Sequence, residues 1–148
     1  MIEILPFTEE HYDRLSPRFY EASAGYSSPE CRGVLLRTVT RGEAFTAVQD
    51  GKVIAFGGYY FGHHPGCVEV WMQCSDEIYE MPLSHARKVI RAFRNIQRHC
   101  SEAWRFQTTS YPDEKHTRWM KWLGFAFEGT LKKITPDGGD LTIWALVR

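Results

Sequence analysis

Apolar and polar positions along this chain change period several times, and each change marks an element. Between Leu83 and Cys100, Ala86, Val89, Ile90, Phe93, Ile96 and Cys100 recur every three or four positions. That is the stripe of an amphipathic helix. Arg87, Lys88, Arg91, Arg94 and Arg98 fall largely on its other side, as a solvated basic face. Cys67 to Cys74 alternates instead, with Val68, Val70 and Met72 directed one way, the period of a strand. Arg105 to Ser110 reads as a further strand. Asp113 to Leu123 reads as a short helix closed by Gly124 in a left-handed cap.

The flanking segments complete the order. Ile2 to Phe7 is a first strand, and Thr8 followed by Glu9 and Glu10 is a helix start expected to run to about Ala24, with Pro17 as a kink or break. Gly25 to Pro29 is a loop. Ser28 caps a second helix with Pro29 at its first position, a buried side of Val34, Leu35 and Val39, and an end at Arg41-Gly42. Ala44 to Gln49 and Lys52 to Phe61 form a hairpin about Asp50-Gly51, a type I′ turn signal. Gly57-Gly58 within the return strand signals a bulge or a close backbone approach. Ala126 to Ile134 and Leu141 to Val147 form a final hairpin about Pro136 to Gly139. Helices interleaved with a mostly antiparallel meander predict a single α/β domain, residues 1–148, with a mixed sheet. The crossover from strand 67–74 through helix 83–100 to strand 105–110 should be parallel and right-handed.

Composition narrows the function classes. The formal net charge is +0, from 18 basic and 18 acidic residues. That balance argues against general attraction to nucleic acid or to an anionic membrane. No apolar run approaches the ~20 residues that span a bilayer. The N-terminal stretch has no basic region ahead of an apolar one, as a secretory signal would. Cys31, Cys67, Cys74 and Cys100 lack metal or CxxC spacing, so reduced thiols and a cytoplasmic location are expected. His63-His64 has no carboxylate or cysteine at metal spacing.

The element order, the Asp50-Gly51 meander, the long helix after Cys74 and the "HTRWMKWLGF" run at 116–125 together resemble the GNAT superfamily of acyl-CoA-dependent N-acyltransferases, over essentially the whole chain. The resemblance implies a mixed, mostly antiparallel sheet of about six or seven strands flanked by about four helices. Residues 71–125, with "SDEIYEMP" before the basic helix, also look like GNAT-like proteins of short-tailed bacteriophages, some described as internal virion or assembly proteins.

The family pattern implies acetyl-CoA as cofactor and an amine-bearing small molecule or protein as acceptor. By that likeness Met72, Gln73, Cys74, Ser84, His85, Arg87 and Lys88 would hold the cofactor, with Ser84 capping the basic helix. The family's glycine-rich pyrophosphate turn falls within 73–84, where this chain has no glycine and carries Asp76, Glu77 and Glu80. The family's acid tyrosine falls at Met120, which cannot donate a proton. Glu69 is then the candidate base, and Tyr111 or His116 the candidate acid.

Each residue also has a plainer reading. Glu69 fits a solvent-facing or paired strand residue, His116 a capping histidine, Tyr111 a packed loop aromatic, and the basic helix a solvated face. Two functional readings stay open: an N-acetyltransferase, or a GNAT-shaped chain without catalysis that acts on phage or host proteins, in the bacterial host cytoplasm or the virion. Nucleic-acid binding through the basic helix is the least favoured.

Overall fold

A computed structural model describes residues 1–15, 28–80 and 82–148. Seven strands form one sheet in the order β1-β2-β3-β4-β5-β7-β6. They are β1 Ile2–Pro6, β2 Gly42–Gln49, β3 Lys52–Phe61, β4 Cys67–Cys74, β5 Arg105–Ser110, β6 Ala126–Leu131 and β7 Leu141–Val147. Four helices are described: α1 Glu9–Arg14, α2 Pro29–Val39, α3 Leu83–His99 and α4 Glu114–Leu123. A short 3₁₀ turn, Asp76–Glu80, joins β4 to α3. Every neighbouring pair is antiparallel except β4 with β5. The expected mixed α/β sheet is therefore present.

The local signals act as their chemistry requires. Asp50 and Gly51 both take positive φ, 50° and 78°, which turns the β2–β3 hairpin. Thr8 caps α1 by accepting from the His11 N–H, and the His11 ring returns the bond to the Thr8 N–H. Ser28 caps α2, and Gly124, at φ 95°, ends α4.

Two cores flank the sheet. On one face Tyr59, Val68, Phe93, Phe106, Met120, Phe125 and Trp144 pack beneath α3 and α4. On the other, Leu15, Leu35, Val48, Val53 and Phe56 pack beneath α1 and α2, with Tyr12 and Trp71 against them.

Several boundaries differ from the sequence reading. Helix α1 ends at Arg14, because Leu15 is extended (ψ 123°); the expected continuation to Ala24, Pro17 and the start of the following loop lie outside the described residues. Val34 is 55% exposed, so the buried side of α2 runs through Leu35, Leu36 and Val39 instead. Strand β6 stops at Leu131, where Lys133 turns to positive φ. The bulge expected at Gly57-Gly58 is absent, and the β2–β3 register shifts between Ala47 and Val48. The two glycines serve close approach instead: a Cβ on Gly58 would lie 2.0 Å from the Glu43 carbonyl oxygen, and one on Gly57 2.5 Å from that of Trp71.

Candidate functional site

The β4–β5 seam is short. Only Cys67, Val68 and Glu69 pair with β5, opposite Arg105, Phe106 and Gln107. Beyond that rung β4 continues to Cys74 and β5 to Ser110 without pairing, so the two strands diverge. A cleft of about 170 Å³ lies in the gap, lined by Tyr60, Glu69, Val70, Trp71, Met72, Thr108 and Thr109.

Strand phase decides which backbone groups face that cleft. Gly62 N–H donates to the Cys67 carbonyl at 2.9 Å, and Ser75 N–H to the Ile54 carbonyl at 2.9 Å. These bonds mark the two ends of one unshifted β3–β4 ladder. Alternation then turns the main-chain groups of Glu69, Trp71 and Gln73 toward β3. The intervening residues turn theirs toward β5, as the Gly66 carbonyl does in accepting from Arg105 N–H. Past the last paired rung, the main chain of Met72 therefore faces the gap.

Glu69 projects from the last paired rung on the side of α1 and α2. Its carboxyl is half-buried, and burial pushes its pKa up against the opposing pull of the Gln107 amide and, more weakly, of Arg105 and His63. Gln107 Nε2 donates to Glu69 Oε1. Tyr60 stands opposite Glu69 on β3, and its phenol pKa is raised, first by burial and then by the Glu69 charge. The Trp71 indole nitrogen is buried with no hydrogen-bond partner among the described residues.

The cleft widens toward the carboxyl ends of β4 and β5, the end at which α3 begins. Ser84 does not cap α3. The N-cap is Pro82, which has no side chain able to accept, and Ser84 is exposed in the first turn. His85 follows, with its Nδ1 buried and unpartnered among the described residues. Arg87 and Lys88 are exposed. Carboxylates crowd this end. Glu77 pairs with Lys52, and that pair above all holds the Glu77 carboxyl down at about 2. A second hollow, of about 370 Å³, is walled by Asp50, Lys52, Glu77, Glu80 and Pro82 among others. Three carboxylates there suit an anion poorly.

The two candidate acids lie off the cleft lining. His116 is 7% exposed and held at the start of α4, its backbone N–H donating to Asp113 Oδ1 at 2.9 Å and its Nδ1 lying 2.6 Å from Asp113 Oδ2. Tyr111 follows the last residue of β5 and meets the His116 ring edge-on at 5.2 Å. Met120, at the family's tyrosine position, is 8% exposed in the core beneath α4. No group of three or more His, Cys, Asp or Glu able to hold a metal occurs among the described residues.

No protein-family model matches the sequence, and no curated protein matches it. Solved structures do match its shape. Ard1 from Thermoplasma volcanium superposes with a TM-score of 0.75 at 12% identity, over 99% of this chain and 97% of that one. A GNAT-family acetyltransferase from Bacillus anthracis gives 0.67 at 16%, over 99% and 94%. A Bacillus subtilis acetyltransferase in complex with CoA gives 0.69 at 14%, over 100% and 99%. This is the GNAT fold. At such identities the likeness is one of architecture.

The GNAT resemblance thus holds at the level of fold. The structure brings Glu69 and Met72 to one cleft and turns the Gln73 main chain away from it. It keeps Ser84, His85, Arg87 and Lys88 on α3, and Tyr111 and His116 at the β5–α4 junction. Tyr60, Trp71, Arg105 and Gln107 were not among the sequence candidates. One signal for them was available: Arg105 and Gln107 alternate with Phe106, an odd polar face for a strand that must lie inside the sheet.

Proposed function

We propose that this protein is an acyl-CoA-dependent N-acyltransferase that moves an acetyl group from acetyl-CoA to an amine. The observation that carries the proposal is the parting of β4 from β5 beyond Glu69, with the Met72 main chain and the Glu69 carboxyl bordering the gap. Acetyl-CoA supplies a thioester to that gap. The Met72 N–H donates to the carbonyl oxygen, as a strand edge does to an added strand. Glu69 takes a proton from the ammonium, directly or through water, and its raised pKa suits that task. The neutral nitrogen then attacks the carbonyl carbon, a C–N bond forms, the C–S bond breaks with its electron pair leaving on sulfur, and the second proton that the nitrogen sheds to become an amide balances the one that the thiolate takes up. A thiol with a pKa near ~8.5 leaves readily near neutrality, so the acid has little to supply. Tyr111, the residue after β5, and His116, whose ring it meets edge-on, are the candidates for that proton. His85, Arg87 and Lys88 would meet the phosphates, in a geometry other than a glycine-rich turn.

Two observations favour a second reading, a chain of this fold that has lost catalysis and binds phage or host proteins. Met120 is sealed in the core, and the turn before α3 is acidic. Calorimetry with CoA and acetyl-CoA, followed by mass spectrometry of an amine panel incubated with acetyl-CoA, separates the two. Binding with transfer supports the acyltransferase. No binding at millimolar concentration sinks it and leaves the second reading standing.

A further inference from the structure

Glu69 does not stand alone on its face of the sheet. Gln107 Nε2 donates to Glu69 Oε1 across the last β4–β5 rung. The other end of the same amide, Gln107 Oε1, accepts from Arg105 Nε at 2.5 Å. The Arg105 guanidinium is then held as a fork by Glu128, with Nη1 3.0 Å from Oε1 and Nη2 2.5 Å from Oε2. Four side chains from β4, β5 and β6 form one continuous line ending in the cleft.

The backbone is arranged for that line. Strand β7 lies between β5 and β6, so Arg105 must reach across it to Glu128. The β7 residue opposite Gln107 is Ala145, the smallest side chain that still covers the sheet. The β6–β7 register shifts between Phe127 and Gly129. Glu128 is the extra residue of that bulge, a device that re-aims a side chain.

Polarity along the line is fixed. A guanidinium is a donor only, so Gln107 must turn its oxygen to Arg105 and its NH₂ to Glu69. The amide cannot flip without losing both bonds. We propose that Gln107 is the positioning residue of Glu69, and that Arg105, clamped by Glu128, fixes Gln107 in that role. The proposal rests on the acyltransferase reading only for its catalytic consequence. It adds what neither the fold nor the cleft supplies, a defined orientation and ionisation for Glu69. The other groups that face Glu69 are Tyr60 on β3, His63 in the β3–β4 turn and Cys67 on β4.

Glu69 can be titrated in the ligand-free protein by carbon-13 NMR of its carboxyl. Gln107→Leu deletes the donor at similar length, and Gln107→Ala serves where leucine does not pack. Either variant should move the Glu69 midpoint up by about half a pH unit or more, because a bond to the charged form is lost. The acid limb of kcat/KM should move with it. Arg105→Lys keeps the charge but loses the Nε bond to Gln107, and should move Glu69 part of the way in the same direction. A merely structural role would lower the melting temperature and leave the midpoint in place. Folded Gln107 variants with an unchanged midpoint overturn the proposal, and Arg105→Lys with an unchanged midpoint overturns the part given to Arg105. A shifted midpoint in a protein that acetylates no amine supports the coupling and overturns the acyltransferase reading alone.

Discussion

Gln107 and Glu69 meet across the last rung that joins β4 to β5, and one residue beyond them the strands have parted. The carboxyl is thus held where the sheet stops being a sheet. Paired backbone on one side fixes its position, and open backbone on the other gives a ligand something to bond. Replacing Glu69 by Gln should lower kcat/KM by about 10²–10⁴-fold if it is the base.

The same substitution should change how stability depends on pH. Burial lifts the Glu69 pKa above its ordinary value of 4.5, so the folded chain holds the proton more tightly than the unfolded chain. As pH climbs from 4.5 through the folded value, the unfolded state releases its proton first and gains ground. Wild type loses that contribution across the window, and the Gln variant has none to lose. Thermal melts at pH 4 and pH 8 should show the Gln variant gaining on wild type as pH rises. A difference that shrinks instead would mean that the carboxylate is stabilised in the fold.

The acidic turn before α3 bears on cofactor binding. Asp76 and Glu80 are exposed there, and Glu77 pairs with Lys52. If phosphates approach the start of α3, Asp76→Asn with Glu80→Gln should tighten CoA binding about three- to tenfold at low ionic strength. The gain should fade as added salt shortens the screening length to a few ångströms. Calorimetry at two salt concentrations reads both effects. Equal affinities at low salt would place the phosphates elsewhere.

What the sequence discloses here and what it conceals follow from range. The Asp50-Gly51 turn, the Ser28 cap and the Gly124 stop are set by neighbours within a few residues, and β3, β5 and β7 carry their own bounds in their patterns. The cleft depends on where a parallel pairing between residues 38 apart gives out, and no local pattern encodes that. Arg105 and Glu128 meet only because a bulge turns Glu128 toward β5, and an alternating strand pattern hides a bulge. Serine is a good cap by propensity, and Ser84 nevertheless leaves α3 uncapped. In the fold the chain enters α3 through Pro82, whose fixed φ already suits the approach.

Gly58 gives a sharper test of the sheet than any core residue. A methyl group there would press on the Glu43 carbonyl oxygen and on Ala44 Cα, at 2.0 and 2.7 Å. Both are backbone atoms, so β2 itself must move. Gly58→Ala should cost about 2 kcal/mol or more. Gly51→Ala meets no atom within 4 Å but must hold φ at +78°, a cost of about 1–2 kcal/mol. Denaturant melts should rank Gly58→Ala as the more damaging. The reverse order would mean that β2 and β3 stand further apart than described.

Arg148 ties the end of α3 to the sheet. Its guanidinium donates to the carbonyls of Gln97, Ser101 and Ala103, the last two at 3.1 and 3.4 Å, and lies 4.8 Å over the Phe106 ring. Phe106 is fully buried beneath it, so the cation covers an apolar ring while bonding one last-turn carbonyl of α3, that of Gln97, and two of the segment that follows it. Arg148→Ala should cost about 1–2 kcal/mol, or about 3–8 °C in melting temperature for a chain of this size. Arg148→Lys should recover less than half of that loss, because an ammonium lacks the planar fork that reaches three carbonyls at once. A lysine variant as stable as wild type would show that charge at the helix end is enough, and that the fork adds nothing.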